Sequence, residues 1–131
     1  MANAVFNANL TYLSADQTTL SQMFTLTSGF RAINAGAIPL PHGVSPGTLI
    51  EIPFGLAAAE CRAVMVKNDT RNELGVRLNE AVSDLYQLAP GGVFFHWSPV
   101  KGGTNPLRRI ALSVPRAPLE GGSVDYLVLG D

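Results

Sequence analysis

Two histidines, one cysteine and ten carboxylates are the side chains that could carry acid–base, nucleophilic or metal chemistry in this chain of 131 residues. His42 lies in a segment rich in proline and glycine, and His96 lies in an aromatic segment. Neither histidine has a cysteine, a histidine or a carboxylate at metal-ligand spacing. Cys61 is the only cysteine, so we expect a small core residue rather than a reactive thiol. The pattern predicts no catalytic residue, no cofactor and no metal site.

Four aromatic residues that lie close together in sequence form the one constellation that suggests a binding surface. They are Tyr86, Phe94, Phe95 and Trp97, on a predicted hairpin around residues 90–92. Aromatic faces on a β-sandwich can stack on sugar rings, so a carbohydrate-binding module is one interpretation. Phe95 and Trp97 share a side of their strand with Val93, as a sandwich core requires, and we therefore favour core packing. An exposed Trp97 beside Tyr86 or His96 would favour sugar binding instead.

The composition narrows the class of partner. Hydrophobic residues make up 47% of the chain and charged residues only 15%, whereas average soluble domains carry about 25% charged residues. A surface with so little charge suits a protein that buries much of its outside against neighbours. A net charge of −1 with scattered basic residues argues against nucleic-acid binding. The chain has no apolar run of about 18 residues, which argues against a membrane span, and residues 1–7 lack the features of a signal peptide.

Short stretches of alternating apolar and polar residues, cut by glycine and proline, predict the fold. The predicted strands cover residues 6–12, 18–27, 30–40, 48–54, 62–68, 74–78, 85–88, 93–97, 110–114 and 123–129. About eight to ten short strands with little helix predict an all-β fold, an antiparallel β-sandwich or jelly roll. We expect a single domain over residues 1–131. The best helical candidate, residues 55–60, is a short helix or a loop.

Three details of this organisation follow from the same pattern. We expect residues 62–99 to run as a β-meander, since their strands and turns alternate almost without interruption. The second strand is expected to end at a break at Ser28 and Gly29. The last strand is apolar on both faces, so it is expected to be central in its sheet or to pair with a neighbouring chain.

Three segments have no evident place in the core and are therefore candidates for contact with a partner. They are residues 1–7, 41–47 and 101–107. The candidate contact residues within them are Val5, Phe6, Pro41, His42, Val44, Lys101, Asn105 and Leu107. The first segment is a possible contact arm, because alternating Phe6, Ala8 and Leu10 could add a strand to a neighbour's open sheet edge.

Several strand and turn sequences lie within residues 62–99 and in the last predicted strand. They are Val66-Lys67-Asn68, Asp69-Thr70-Arg71-Asn72, Leu74-Gly75-Val76-Arg77-Leu78, Leu88-Ala89-Pro90-Gly91-Gly92 and Tyr126-Leu127-Val128-Leu129. In their general pattern, these sequences resemble small structural proteins of tailed bacteriophage particles. Examples are jelly-roll cement or decoration proteins of capsids and β-sandwich components of tails and baseplates. The resemblance implies no catalytic residues. It implies location in the virion after assembly in the host cytoplasm, with the major capsid protein, other virion subunits or further copies of the chain as partners.

The sequence therefore predicts a non-enzymatic capsid cement protein that clamps neighbouring major capsid subunits, with neither nucleic acid nor membrane as a partner. Two alternatives are a tail or baseplate component and a β-sandwich carbohydrate-binding module. An enzyme would require His96 to meet a carboxylate and a nucleophile in one cleft.

Overall fold

A computed structural model of the chain describes residues 2–13, 15–16, 19–55, 61–98, 107–115 and 120–131. This part of the chain contains ten strands and no helix, and every strand pair is antiparallel. The strands are β1 (Ala2–Leu13), β2 (Thr19–Phe30), β3 (Ala32–Leu40), β4 (Leu49–Glu51), β5 (Cys61–Thr70), β6 (Leu74–Leu78), β7 (Tyr86–Leu88), β8 (Val93–Trp97), β9 (Ile110–Ser113) and β10 (Gly122–Gly130). The predicted all-β fold is confirmed. Residues 56–60 of the predicted short helix or loop lie outside the described residues.

The chain forms two compact units, Met1–Arg31 and Ala32–Asp131. The first unit is a hairpin in which β1 and β2 pair over their full 12 residues around a turn at Ala15 and Asp16. β2 continues through Ser28 and Gly29, which pair with β1, so the predicted break there is wrong. A glycine opposite a regular strand extends the ladder as long as its backbone groups have partners. The single-domain organisation of the whole chain stays a prediction.

The second unit consists of two four-stranded sheets. Their strand orders are β3-β10-β5-β8 and β4-β9-β6-β7. The chain is rolled up as four nested antiparallel pairs, β3 with β10, β4 with β9, β5 with β8 and β6 with β7. This is the connectivity of an eight-stranded jelly roll. β10 lies between β3 and β5, so the predicted central position of the last strand is confirmed.

The β-meander predicted for residues 62–99 is wrong. β5 and β6 follow each other in the chain but lie in different sheets, and so do β7 and β8. Within residues 62–99, only β6 and β7 are consecutive strands that pair with each other. Alternation fixes which face of a strand is buried but not which strand lies beside it, and two packed sheets satisfy the same pattern as one continuous sheet.

The core of the second unit contains apolar residues from both sheets. In the cluster between the sheets, the fully buried strand residues are Val66, Val124 and Val128 of the first sheet, with Val64 nearly so, and Leu74, Val76, Ile110 and Leu112 of the second. Each set occurs at alternate positions of its strands, as the pleat requires. β-branched valine and isoleucine suit these positions because their stiff side chains pack well on a pleated surface.

Candidate functional site

The histidines and the cysteine, which could carry acid–base or nucleophilic chemistry, lie in separate parts of the structure. His42 is exposed in the loop after β3, and His96 lies on β8 opposite Val64. Cys61 is buried, and its burial raises the pKa of the thiol to about 11, so the nucleophilic thiolate is disfavoured. Among the described residues, no group of three or more His, Cys, Asp or Glu side chains is arranged to hold a metal ion. No described helix is long and apolar enough to cross a membrane.

A cleft of about 460 Å³ lies beside His96, which is within the size range of small-molecule sites. Its lining residues are Leu78, Asn79, Glu80, Ala81, Leu85, Phe94, His96 and Leu107. The polar groups at its rim bond to the neighbouring chain segment. The Asn79 side-chain oxygen accepts hydrogen bonds from the backbone N–H groups of Arg108 (2.7 Å) and Arg109 (3.2 Å), and the Glu80 carboxylate pairs with Arg108. The wall of the cleft is mixed, with the polar side chains of Asn79, Glu80 and His96 among apolar ones.

The four aromatic residues form two separate pairs. Tyr86 and Phe94 are in contact, with ring centroids 6.3 Å apart, although their strands belong to different sheets. Phe95 and Trp97 stack on each other at 6.2 Å. Trp97 lies opposite Ala63, on the other face of β8 from His96, which lies opposite Val64.

The predicted core orientation of the aromatic strand is also wrong. Phe94, not Phe95 or Trp97, packs against the core, while Val93 is half exposed. The predicted hairpin around residues 90–92 is instead a connection between the two sheets. Four of the five residues of β8 are apolar, and His96 is the exception. Alternation alone therefore does not determine which face of β8 is buried.

Basic residues near the start of β9 are bound to acidic partners in neighbouring segments. Arg109 donates through Nε to Glu51 on β4 (2.8 Å) and through a terminal nitrogen to the Asn79 carbonyl (3.2 Å). Hydrogen bonding to Arg108 lowers the pKa of Glu80, and hydrogen bonding to Glu51 raises the pKa of Arg109. Asn79 adopts a left-handed φ of 54°, a conformation that asparagine tolerates better than most residues. These ion pairs and hydrogen bonds connect the segment after β6 and the end of β4 to the residues just before β9.

A second ionic group covers the outer face of the β4-β9-β6-β7 sheet. The Asp84 carboxylate accepts hydrogen bonds from the Ser113 hydroxyl (2.6 Å) and from Arg77 Nε (2.9 Å). The hydrogen bond from Ser113, followed by that from Arg77, lowers the pKa of Asp84. The carboxylate lies directly over Gly75, where a side chain would collide with it. This group fastens the 79–85 connection onto the sheet.

Asn68 begins an Asn-x-Thr sequence of the kind that accepts N-linked glycans on exposed loops, but here it is fully buried. Its amide nitrogen donates to the carbonyls of Asn72 and Leu88, at 2.8 Å each. Its amide oxygen accepts from the Thr70 N–H (2.9 Å) and the Thr70 hydroxyl (2.6 Å). Because Leu88 ends β7, this one side chain joins the two sheets. The sequence pattern therefore reflects a structural network.

The outer face of the β3-β10-β5-β8 sheet carries a small groove of about 210 Å³. Its lining residues are Met65, Lys67, Val93, Asp125, Tyr126 and Leu127. Asp69 and Asp125 share a hydrogen bond at this face, which lowers the pKa of Asp69 and raises the pKa of Asp125. Lys67 pairs with Asp69 at 3.3 Å. The two carboxyl groups can therefore share one proton as the pH falls.

The predicted contact residues have different environments. Val5 is exposed on β1, where it pairs with Thr27, and Phe6 is half-buried opposite Leu26. Both belong to a full strand, which is longer than the arm expected over residues 1–7.

In the loop after β3, Pro41 and His42 are exposed, whereas Val44 packs against the core. Leu107 also packs against the core, so part of its surface is already used. Lys101 and Asn105 lie outside the described residues. A role of these side chains in partner contact stays a prediction.

Four exposed apolar residues lie near the turn of the hairpin, and only Leu10 among them figured in the predicted contact arm. They are Leu10, Leu13, Met23 and Phe24, with 68%, 62%, 70% and 51% of their surfaces exposed. The signal of these residues in the sequence is the absence of charge around them, since Asp16 is the only charged side chain in residues 2–30.

No family model, curated protein or solved structure matches this chain.

Proposed function

We propose that this chain is a non-enzymatic structural protein of a bacteriophage virion, a cement or decoration protein that clamps neighbouring major capsid subunits. Jelly rolls also occur in lectins and cupins, so this fold alone does not select a function. The observation that carries the proposal is the first unit of the chain, the hairpin β1–β2. A long hairpin with exposed apolar side chains and almost no charge is what an assembly subunit needs and what a self-sufficient binding module does not.

The proposed action is mechanical. Each copy covers a junction between capsid subunits and adds buried area there. A specific contact needs about 1,600 Å² of buried surface in total. Many such contacts on one shell act together, so modest individual affinities hold the particle firmly. The exposed loop with Pro41 and His42 offers a contact on the jelly-roll unit.

The test is the protein content of particles released by cells that carry the gene. Quantitative mass spectrometry of purified particles should find this chain in a copy number comparable to that of the major capsid subunit. A few copies per particle would indicate the tail or baseplate alternative. Complete absence from the particles would contradict the proposal.

A deletion of the gene separates a cement role from a passive one. Particles assembled without the protein should lose their packaged DNA at a lower temperature than complete particles, because the clamps between subunits are missing. Re-addition of the purified chain should restore the original release temperature. The same addition of a heat-denatured sample is the control.

A further inference from the structure

The cleft beside His96 lies between the two sheets of the jelly-roll unit. Phe94 and His96 belong to β8, the edge strand of the first sheet, and most of the facing residues belong to residues 78–85, at the end of β6 and in the connection to β7 of the second sheet. Leu107, shortly before β9, completes the described wall. Ligand sites often form where the interior between strands opens at the mouth of a β-barrel. This position therefore suits the entry of a small molecule between the sheets.

His96 is a polar residue on the core-facing side of its strand. It pairs with Val64, which is only 1% exposed, and paired residues of an antiparallel ladder share a face. Phe94, two residues earlier in β8, lies on the same face and packs against the core. A half-buried imidazole in this position calls for a hydrogen-bond partner, because polar groups that turn toward a core nearly always have one.

Among the described residues that line the cleft, His96 is the only polar side chain without a hydrogen-bond partner. The Asn79 side-chain oxygen accepts from the backbone N–H groups of Arg108 and Arg109. The Glu80 carboxylate is bound by Arg108, which balances its charge. An uncharged ligand is therefore the better match for the cleft than an anion or a cation. A neutral imidazole has one donor and one acceptor, so a single hydroxyl group on the ligand can bond to it in either direction.

The rest of the wall determines the body of the ligand. The other lining side chains are apolar: Leu78, Ala81, Leu85, Phe94 and Leu107. The ring of Phe94 can pack against a second aromatic ring in an offset or edge-to-face arrangement. A sugar carries a hydroxyl group on most of its carbon atoms, and hydroxyl groups placed against apolar walls without partners cost free energy. The wall therefore favours an aromatic body with one polar group over a sugar.

We propose that the cleft is a binding site for a small uncharged aromatic molecule with a single hydroxyl group, a simple phenol, whose ring contacts Phe94 and whose hydroxyl group is hydrogen-bonded to His96. The volume of about 460 Å³ is that of a small-molecule site. This site goes beyond the structural function proposed above, which rests on the hairpin β1–β2 and requires no ligand.

NMR of the imidazole Cε1–H groups during titration of the full chain with 4-ethylphenol is the first measurement. The chain has two histidines, and His42, exposed in the loop after β3, is an internal reference. The resonance of His96 should shift in a saturable way, with a dissociation constant of about 1 mM or lower, while that of His42 stays in place. No saturable shift of His96 up to about 10 mM, or equal shifts of both histidines, would overturn the inference. Binding of methyl glucoside in place of the phenol would overturn the assigned class of ligand.

Two variants with a matched position test whether the cleft itself is the site. Ala81→Phe places a ring in the space that Ala81 lines, and it should raise the dissociation constant of 4-ethylphenol by about 10-fold or more. Val82→Phe adds the same ring at the next residue, which is 87% exposed and is not among the described lining residues, and it should bind like the original protein. Equal affinities of the two variants would contradict the location.

The role of the imidazole is tested with two probes that differ by one hydroxyl group. His96→Phe keeps a ring in the wall and removes the hydrogen bond, so the affinity for 4-ethylphenol, followed by ligand-observed NMR, should fall by about 3–10-fold. The affinity for ethylbenzene, which has no hydroxyl group, should stay the same. Equal losses for both probes would show that His96 is only part of the wall and would overturn the assigned hydrogen bond. Failure of 4-ethylphenol to bind a chain that is abundant in virions would overturn this inference alone and leave the proposed function standing.

Discussion

Replacement of Asn68 by Asp tests whether one buried amide joins the two sheets of the jelly roll. The side chains have nearly the same shape, but a carboxylate cannot donate hydrogen bonds. Asn68→Asp therefore removes the donor to the Leu88 carbonyl, which is buried, and the donor to the Asn72 carbonyl, which is partly buried. It also places a negative charge at a position with no exposed surface.

The expected cost follows from these contacts. A buried acceptor left without its donor costs about 1–3 kcal/mol, and the partly buried one costs less because water can reach it. The two losses amount to about 2–4 kcal/mol, to which the buried carboxylate adds. Small domains are stable by only about 5–15 kcal/mol. Asn68→Asp should therefore lower the urea midpoint strongly, as followed by the fluorescence of Trp97, the only tryptophan.

Asn79→Asp is the matched control. The Asn79 side-chain oxygen accepts two backbone N–H bonds next to Arg108 and Arg109, and a carboxylate accepts them equally well. Its free energy of unfolding should change by less than about 1 kcal/mol.

The pH dependence of the stability of Asn68→Asp provides a second test. Thr70 still donates to one oxygen of the introduced carboxyl, but the other oxygen faces the carbonyls of Leu88 and Asn72. Burial and these carbonyls raise the folded-state pKa of the carboxyl, so its penalty is smallest below about pH 4 and grows as the pH rises through the raised value. The difference from the original protein should shrink on acidification. A variant within about 0.5 kcal/mol of the original at neutral pH would refute the network.

Three further outcomes are expected. Gly75→Ala should cost about 1–3 kcal/mol in urea unfolding, because the new methyl group meets the Asp84 carboxylate and the Ser113 hydroxyl; the cost should fall in an Asp84→Ala background. The pKa of Asp84 is lowered below its ordinary value of 3.8, so its contribution to stability is present above that pH and is lost as the pH falls through the folded-state pKa. The stability of Asp84→Asn, measured from about pH 5 to pH 2, should vary less with pH than that of the original protein. The Cys61 thiol, with a pKa raised to about 11, should not react with iodoacetamide at about pH 8 until urea unfolds the chain; rapid reaction of the native protein would contradict its burial.

The strands themselves were accessible from the sequence, but their partners were not. Residues 74–78 match β6 in full because their alternation and flanking turns are local signals. Residues 93–97 match β8 in full because aromatic and β-branched residues follow a turn rich in proline and glycine. The assignment of strands to sheets depends on contacts between distant parts of the chain. Local alternation is the same whether β5 lies beside β6 or, as observed, between β10 and β8.

The candidate surfaces show the same limit. The choice between Phe94 and Phe95 as the core residue of β8 failed because apolar residues occupy both faces of that strand. Asn68 was placed at the end of the predicted strand 62–68, but its bonds were not predicted, since its partners at Leu88 and Asn72 come together only after the chain is rolled up. The contact arm was expected over residues 1–7 from alternation alone, and β1 in fact extends to Leu13. A count of charges along the chain would have shown the larger extent.

The low charge of the protein is unevenly distributed, and this separates stability from association. All five ion pairs between described residues lie in the unit Ala32–Asp131, and all except Lys67–Asp69, which lies within β5, join different segments of the chain. The hairpin has only Asp16 in residues 2–30 and relies on its ladder and on uncharged pairs such as Thr25 with Asn7 (3.0 Å). Exposed apolar surface without charge promotes association, whereas charges of mixed sign oppose it. Substitutions that abolish association should therefore be found in the hairpin and leave the stability of the jelly roll unchanged. Those that unfold the jelly roll, such as Asn68→Asp, should lie in the other unit.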